Sequence, residues 1–346
     1  GGGASSAYGC TDCPKLIPKS RYDAISTFIS DHVPDGYNDI NLVQNAKVYE
    51  QLRAAGIDEL LARHYAHLFV RDPLVVYEHG VEIDDKTRSD HFENIQSTNW
   101  QTVRFKPPPP DSNIGWRVEF RPLEVQITDF ENAALIVFVV LLTRAIVSFN
   151  LDFYQPLSEV DENMQKAHVR DAINTQRFKW HNCADASRAR ADGSSCSKHM
   201  SIDEIMNGRA DCNYPGLIRC VTMYLDTVLP AGAERDRLNE YLEWLSLRAS
   251  GKLMTTAAYL RRFVAQHPAY KGDSVVTQQI AYDMVRHTEA LNAGEVRAPE
   301  LLGRFSKQRF TDDECMRAEP PIVQRERWEA ARAMLLSDRE EAAATR

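Results

Sequence analysis

There is no excess of basic residues in this chain: Lys and Arg number 41 against 49 Asp and Glu, a formal net charge of −8. Nucleic-acid binders carry a basic balance or a basic stripe, and neither is present. Cysteine is sparse and odd in number, seven in 346 residues, at scattered spacings. That excludes a disulfide framework and points to reduced thiols and a cytoplasmic location. No secretory leader is visible. The longest apolar run, "AALIVFVVLL" from Ala133 to Leu142, is about half of the roughly 20 residues needed to span a bilayer. It reads as a core helix, with no membrane partner. No P-loop, no G-x-G-x-x-G, no G-x-S-x-G and no H-E-x-x-H occurs, and no fixed-period repeat.

What is present is an ordinary soluble composition, 43% hydrophobic and 26% charged, long enough for one large domain or two smaller ones. Residues 1–20 are rich in Gly, Ser and Cys and read as a flexible lead-in. They begin "GGGASSAYGC" without a methionine, as expected of a processed product or of a piece of a longer chain. Residues 21–157 carry the strand-like patterns. Residues 158–305 read as helical, and 306–346 as a tail able to form one amphipathic helix.

Several patterns invite a metal or a ligand. Cys10 and Cys13 form a single CxxC, short of the four ligands of a zinc site. His181, Cys183, Cys196 and His199 lie in a polar loop, in no spacing that matches a known finger. His64 and His67 sit i, i+3 on a helix face with no third ligand near them in sequence, which favours packing over metal binding. "KPPPP" after Phe105 sets a stiff polyproline spacer between two strands.

The most informative stretch is "GWRVEFRPLEVQITDFENAA", from Gly115 to Ala134. From Trp116 to Phe120 its period is two. Trp116, Val118 and Phe120 point one way; Arg117, Glu119 and Arg121 point the other. Pro122 cannot donate a ladder hydrogen bond and marks an edge, a bulge or a strand end. Upstream, "NWQTVRFK" places Trp100, Thr102, Arg104 and Lys106 on one strand face. Thr128 and Glu131 have capping-box spacing before a helix from about Asp129 to Phe149, apolar nearly all round and expected to be buried on most sides. Same-face strand residues lie about 6.8 Å apart. A glutamate flanked by guanidinium groups stays ionised. It can pair with them, or ligate a hard cation while they clamp a phosphate or carboxylate. The pattern alone favours a solvated ladder with self-paired Arg and Glu, since half-exposed charged strand faces are common.

Longer words decide more. The segment Ser89–Ala167, with "TVRFK" and "VEFRPLEVQITDFENAA", closely resembles the catalytic subunit of eukaryotic-type glutamate–cysteine ligases. So do "KSRYDAIS", "GIDELLARHYAHLFVRDPL", "YPGLI", "RASGKLMTTAAYLRRFVAQHPAYKGDSVVT" and "PELLG", so that the likeness runs from about Pro18 to Gly303. The resemblance implies an α+β, glutamine-synthetase-like fold, with a curved, mostly antiparallel sheet, partial in this chain, and many helices around it. It implies a ligase that joins the γ-carboxyl of L-glutamate to the amine of L-cysteine, using ATP and Mg²⁺, through γ-glutamyl phosphate, in glutathione synthesis. Carried over by position, Glu119 would be a metal ligand, Arg121 would hold the anionic centre that becomes the acyl phosphate, and Arg104 would bind substrate or ATP. Arg117 shares their face as a further contributor. A modifier subunit is an expected partner. Such subunits are much longer and keep most of their metal-binding glutamates in an N-terminal part absent here, so the isolated chain is expected to be inactive. The alternative is a non-catalytic relative that acts only in complex with another chain.

Overall fold

The computed structural model describes residues 19–306 except 21, 72–77, 85, 100, 110–111, 182–196 and 211–213. In chain order the elements are α1 (Ala46–Ala54), α2 (Glu59–Leu68), α3 (Asp90–Ser97), β1 (Val103–Lys106), β2 (Arg117–Phe120), α4 (Asp129–Phe149), α5 (Leu157–Ala167) and α6 (Ala172–Thr175). There follow β3 (Phe178–His181), β4 (Ser197–Met200), α7 (Ile202–Asn207), α8 (Leu217–Val228), α9 (Ala233–Ala249), α10 (Thr256–Gln266), α11 (Gln278–Asn292) and α12 (Pro299–Leu302). Among the described residues the strands form two separate antiparallel pairs, β1 with β2 and β3 with β4. The chain is therefore helix-rich with small antiparallel sheets. Packing divides it into two units, Gly1–Leu123 with Tyr154–His168, and Glu124–Phe153 with Val169–Arg346.

In the first unit, local chemistry sets the helices. Asn45 caps α1 by accepting from the Val48 amide at 3.2 Å, and Asp58 caps α2 through the Leu61 amide at 2.9 Å. Between them Gly56 takes φ +84°, a left-handed conformation that glycine adopts without strain, and this separates the two helices. The start of α5 is anchored from a distance. Asp39 accepts from the Ser158 amide at 2.9 Å, and Lys19 pairs with Asp161 at 2.6 Å.

Helix α2 buries His64 and His67. Burial, aided by the charge of His67, depresses His64 to a pKa of about 4. Burial also lowers His67, with Arg71 and Lys19 acting in the same direction. An unfolded histidine titrates near 6.5, so between pH 6.5 and 4 the unfolded chain binds more protons than the folded one. The stability that neutral His64 contributes is complete above pH 6.5 and is lost as pH falls towards 4. The loss is on the order of 2–3 kcal/mol. Urea unfolding at pH 7 and pH 4.5 should show a smaller difference in His64→Leu than in the parent; equal differences would refute the assignment.

The second unit holds a large aromatic core. Phe130 of α4 lies 5.2 Å from Tyr241, 6.1 Å from Trp244 and 4.9 Å from Phe305, ring centre to ring centre. Thr128 and Glu131 close the expected capping box, and Ser201 and Glu204 close another at α7. Glu131 is fully buried and its second oxygen takes Arg248 Nη2 at 2.8 Å. Arg248 in turn lies 4.6 Å over the Trp244 ring.

Two expectations need correction. Helix α4 is long and apolar enough to cross a bilayer by length and composition. Yet it is not buried on most sides: only Phe130, Glu131, Ala134, Phe138 and Ala145 are buried, while Ile136, Val140 and Val147 stay exposed. A helix packed against one layer, here chiefly α8 and α9, can bury only the stripe that faces it, whatever its composition. The region after Ser158 is also not wholly helical, because β3 and β4 pair from Phe178↔Met200 to His181↔Ser197. Their pairing joins segments far apart in sequence, and no local period announces it. Cys183 and Cys196, like Cys10, Cys13 and the 307–346 tail, lie outside the described residues. Among the described residues no cluster of three His, Cys, Asp or Glu side chains is poised for a metal.

Candidate active site

The β1–β2 hairpin of the first unit gathers the charged residues. Its register sets Arg104 opposite Glu119 and Lys106 opposite Arg117. Side chains alternate, so Arg104, Lys106, Arg117 and Glu119 share one face, and Val103, Phe105, Val118 and Phe120 the other. The Arg121 amide donates to the Thr102 carbonyl at 2.7 Å, which extends the pairing one residue and brings Arg121 beside the charged face. Pro122 then ends it, since it has no N–H to continue. Thr102 is held from behind, its amide and hydroxyl both donating to the Asp23 carbonyl at 3.3 Å. Gln96, buried in α3, donates to the Phe105 carbonyl at 2.9 Å.

The burial of β2 is the reverse of what its composition suggests. Val118 is 66% exposed and Trp116 52%, although Trp116 stacks on Phe105 at 4.8 Å. The Glu119 side chain is only 34% exposed and that of Arg104 15%. The self-pairing of the ladder reading does form, since Glu119 is held by its own hairpin's cations, but on a face that is only partly open to solvent. The charged face is the more sheltered one.

Around Glu119 the geometry is close. Lys106 Nζ donates to Oε2 at 3.0 Å, Arg121 Nε lies 3.2 Å from Oε1, and Arg104 Nη1 reaches Oε1 at 4.0 Å. The Lys106 hydrogen bond, with the charges of Arg104, Lys106 and Arg121 behind it, holds the Glu119 carboxyl below the usual carboxylate range against the opposing effect of burial. Arg104 is fixed by a 2.7 Å bond from its Nε to the Asn99 carbonyl. Burial lowers its basicity, and Arg121 adds to this while Glu119 opposes it. Three cations meet one carboxylate, a local excess of two positive charges. Arg121 Nη1 is buried and has no partner. A buried guanidinium N–H without an acceptor is costly and is a donor ready for an anion.

The sequence-derived residues do not all converge. Arg104, Glu119 and Arg121 do. Arg117 is exposed and turns its Nη2 to the Pro107 carbonyl at 3.3 Å. Lys106 was legible as a neighbour of Arg104 on the strand face, but only the register shows that it makes the shortest contact to Glu119. Trp100 lies outside the described residues. The arrangement suits an anion better than a metal. Both oxygens of Glu119 are engaged by cations, and one carboxylate does not make a Mg²⁺ centre on its own.

Comparison with known proteins bears on this site. The sequence profile of the glutamate–cysteine ligase family matches residues 6–291. The glutamate–cysteine ligase catalytic subunit of Rattus norvegicus is 49% identical over 310 residues, covering 85% of this chain and 48% of the relative. That of Homo sapiens is 48% identical over 308 residues, with the same coverage. The glutamate–cysteine ligase of Schizosaccharomyces pombe is 46% identical over 297 residues, 84% of this chain and 44% of the relative. The chain thus spans about half the length of the curated relatives it matches.

Proposed function

This chain belongs to the glutamate–cysteine ligase family, and from that premise we propose that its β1–β2 hairpin is part of an ATP-dependent ligase site joining L-glutamate to L-cysteine. The observation that carries the reading is the buried, unpartnered Nη1 of Arg121 beside a carboxylate ringed by three cations. In the proposed reaction ATP phosphorylates the γ-carboxyl of glutamate, and the cysteine amine displaces phosphate from the acyl phosphate. Both steps move negative charge onto phosphoryl oxygens. Preorganised guanidinium donors stabilise such charge more as it develops than before the reaction starts.

Arg121 is assigned to the phosphoryl or carboxylate oxygens through its unpartnered Nη1. Arg104, locked by the Asn99 carbonyl, supplies a second fixed cation, and Lys106 joins them as a point charge. Glu119, ionised, is the proposed single ligand that this hairpin would offer to the Mg²⁺ that ATP brings, and it would have to give up Lys106 or Arg121 on one oxygen to do so. The other carboxylates must come from outside the described residues. A glutamine-synthetase-like sheet, of which the hairpin would be one portion, is also proposed. The exposed apolar side of β2 supports it, because further strands and helices would cover Trp116, Val118 and Phe120. The cytosol is the proposed location. A modifier subunit is a proposed partner on the strength of the family resemblance.

The test compares two polypeptides, the 346-residue chain and the same residues embedded in a chain of its relatives' full length. The readout is phosphate release that requires ATP, glutamate and cysteine together. The longer chain should release one phosphate per dipeptide formed, and the shorter none. An inactive longer chain would remove the ligase assignment. Turnover by the 346-residue chain alone would show that no further carboxylates are needed.

A further inference from the structure

Arg104 has two supports, and one buried residue has a part in both. Its Nε donates to the Asn99 carbonyl at 2.7 Å, and its backbone lies in β1 next to Phe105. Gln96 comes from the last turn of α3 and is buried, 7% exposed. Its main-chain carbonyl accepts from the Asn99 amide at 3.2 Å, in the turn that leads into β1. Its side-chain Nε2 donates to the Phe105 carbonyl at 2.9 Å. The two bonds join the turn that anchors the Arg104 head to the strand that carries the Arg104 backbone.

The hairpin's own bonding shows why Phe105 needs a donor from outside β2. In an antiparallel pair the directly bonded positions alternate along each strand. The Arg121 amide bonds the Thr102 carbonyl opposite it, so the bonded positions continue at Arg104 and Lys106. The backbone of Phe105 therefore points away from β2, and Gln96 supplies the donor there. We propose, as a step that rests on the ligase reading of this hairpin, that Gln96 is a positioning residue for Arg104. Buried behind β1, it touches no reactant; it sets where the guanidinium stands beside Glu119. A displacement of about 1 Å in a preorganised site can cost about 100-fold in rate.

Gln96→Met tests this, because methionine keeps the length and helix propensity of glutamine and cannot donate. In a polypeptide of the relatives' full length, at a temperature where every variant is folded, it should lower kcat/KM by about 10- to 100-fold. In an Arg104→Ala background the same replacement should cost no more than about threefold, since no guanidinium is left to position. A merely structural Gln96 would cost the same factor in both backgrounds. In the 346-residue chain, the Arg104 Nε proton followed by ¹⁵N NMR should exchange at least about tenfold faster in Gln96→Met than in the parent. Should that variant fail to fold, Gln96→Glu replaces it, because an ionised carboxylate keeps the shape and has no proton to donate. Equal losses in the two backgrounds, an unchanged kcat/KM or an unchanged Arg104 exchange rate, with a full-length parent that forms the dipeptide, would overturn the role of Gln96 and leave the ligase reading standing. A full-length parent that forms no dipeptide would remove the ligase reading and the role of Gln96 with it.

Discussion

Replacing Arg121 by alanine, in a polypeptide of the relatives' full length, is expected to lower kcat/KM for γ-glutamylcysteine formation by about 10²–10³-fold. The physical reason is specific. Arg121 approaches Glu119 through Nε at 3.2 Å and leaves Nη1 buried and unpaired. Its side chain is thus anchored by one edge and free at the other to meet an oxyanion. Lysine restores the charge but not the fork, so Arg121→Lys should recover only part of the loss. Arg117→Ala is the control. Its exposed guanidinium reaches only the Pro107 carbonyl, and its removal should change kcat/KM by no more than about threefold. Glu119 keeps Lys106 and Arg104 in the alanine variant, so the hairpin should fold and the thermal midpoint should hardly move. An Arg121→Ala enzyme as active as the Arg117→Ala control would remove Arg121 from the site.

The second large effect lies in the core of the second unit. Arg248→Ala leaves Glu131, which is fully buried, with its charge uncompensated on one oxygen. Breaking one side of a buried pair costs about 3–5 kcal/mol. The loss should appear as a drop of that size in the opening free energy of α4 amides measured by hydrogen exchange. The double replacement Glu131→Leu with Arg248→Met should recover most of it. What remains is then the capping interaction that Glu131 makes with Thr128, about 1 kcal/mol. A single-variant loss below about 1 kcal/mol would mean that water reaches Glu131 and that the pair is not a core element.

Much of this was legible from residue order. Thr128 announced its helix through a capping box, because that motif is satisfied within four residues. Pro122 marked a strand end for a reason internal to its own backbone, the missing N–H. Strict alternation from Trp116 to Phe120 placed Glu119 and Arg121 together, since the pleat has a period of two whatever surrounds it. Family-specific words in the same stretch brought Arg104 to the same surface.

Other features came only with the tertiary structure. Periodicity separates two faces of a strand but does not say which one is sheltered; here the charged face is. Lys106 became the closest partner of Glu119 through a register set across the whole β1–β2 connection. Helix α4 is apolar all round in composition, yet its packing partners bury one stripe of it. His64 and His67 read as ordinary packing residues, and the cavity they line draws its walls from five stretches of the chain, near 25–30, 64–68, 99–105, 118 and 154. The sequence by itself determined the local elements, the alternation and the family, because each is written in neighbouring residues. The sheltered side, the ring of cations on Glu119 and the unpaired nitrogen of Arg121 were decided by contacts between residues far apart in the chain. Burial and desolvation are properties of those contacts and not of any one segment.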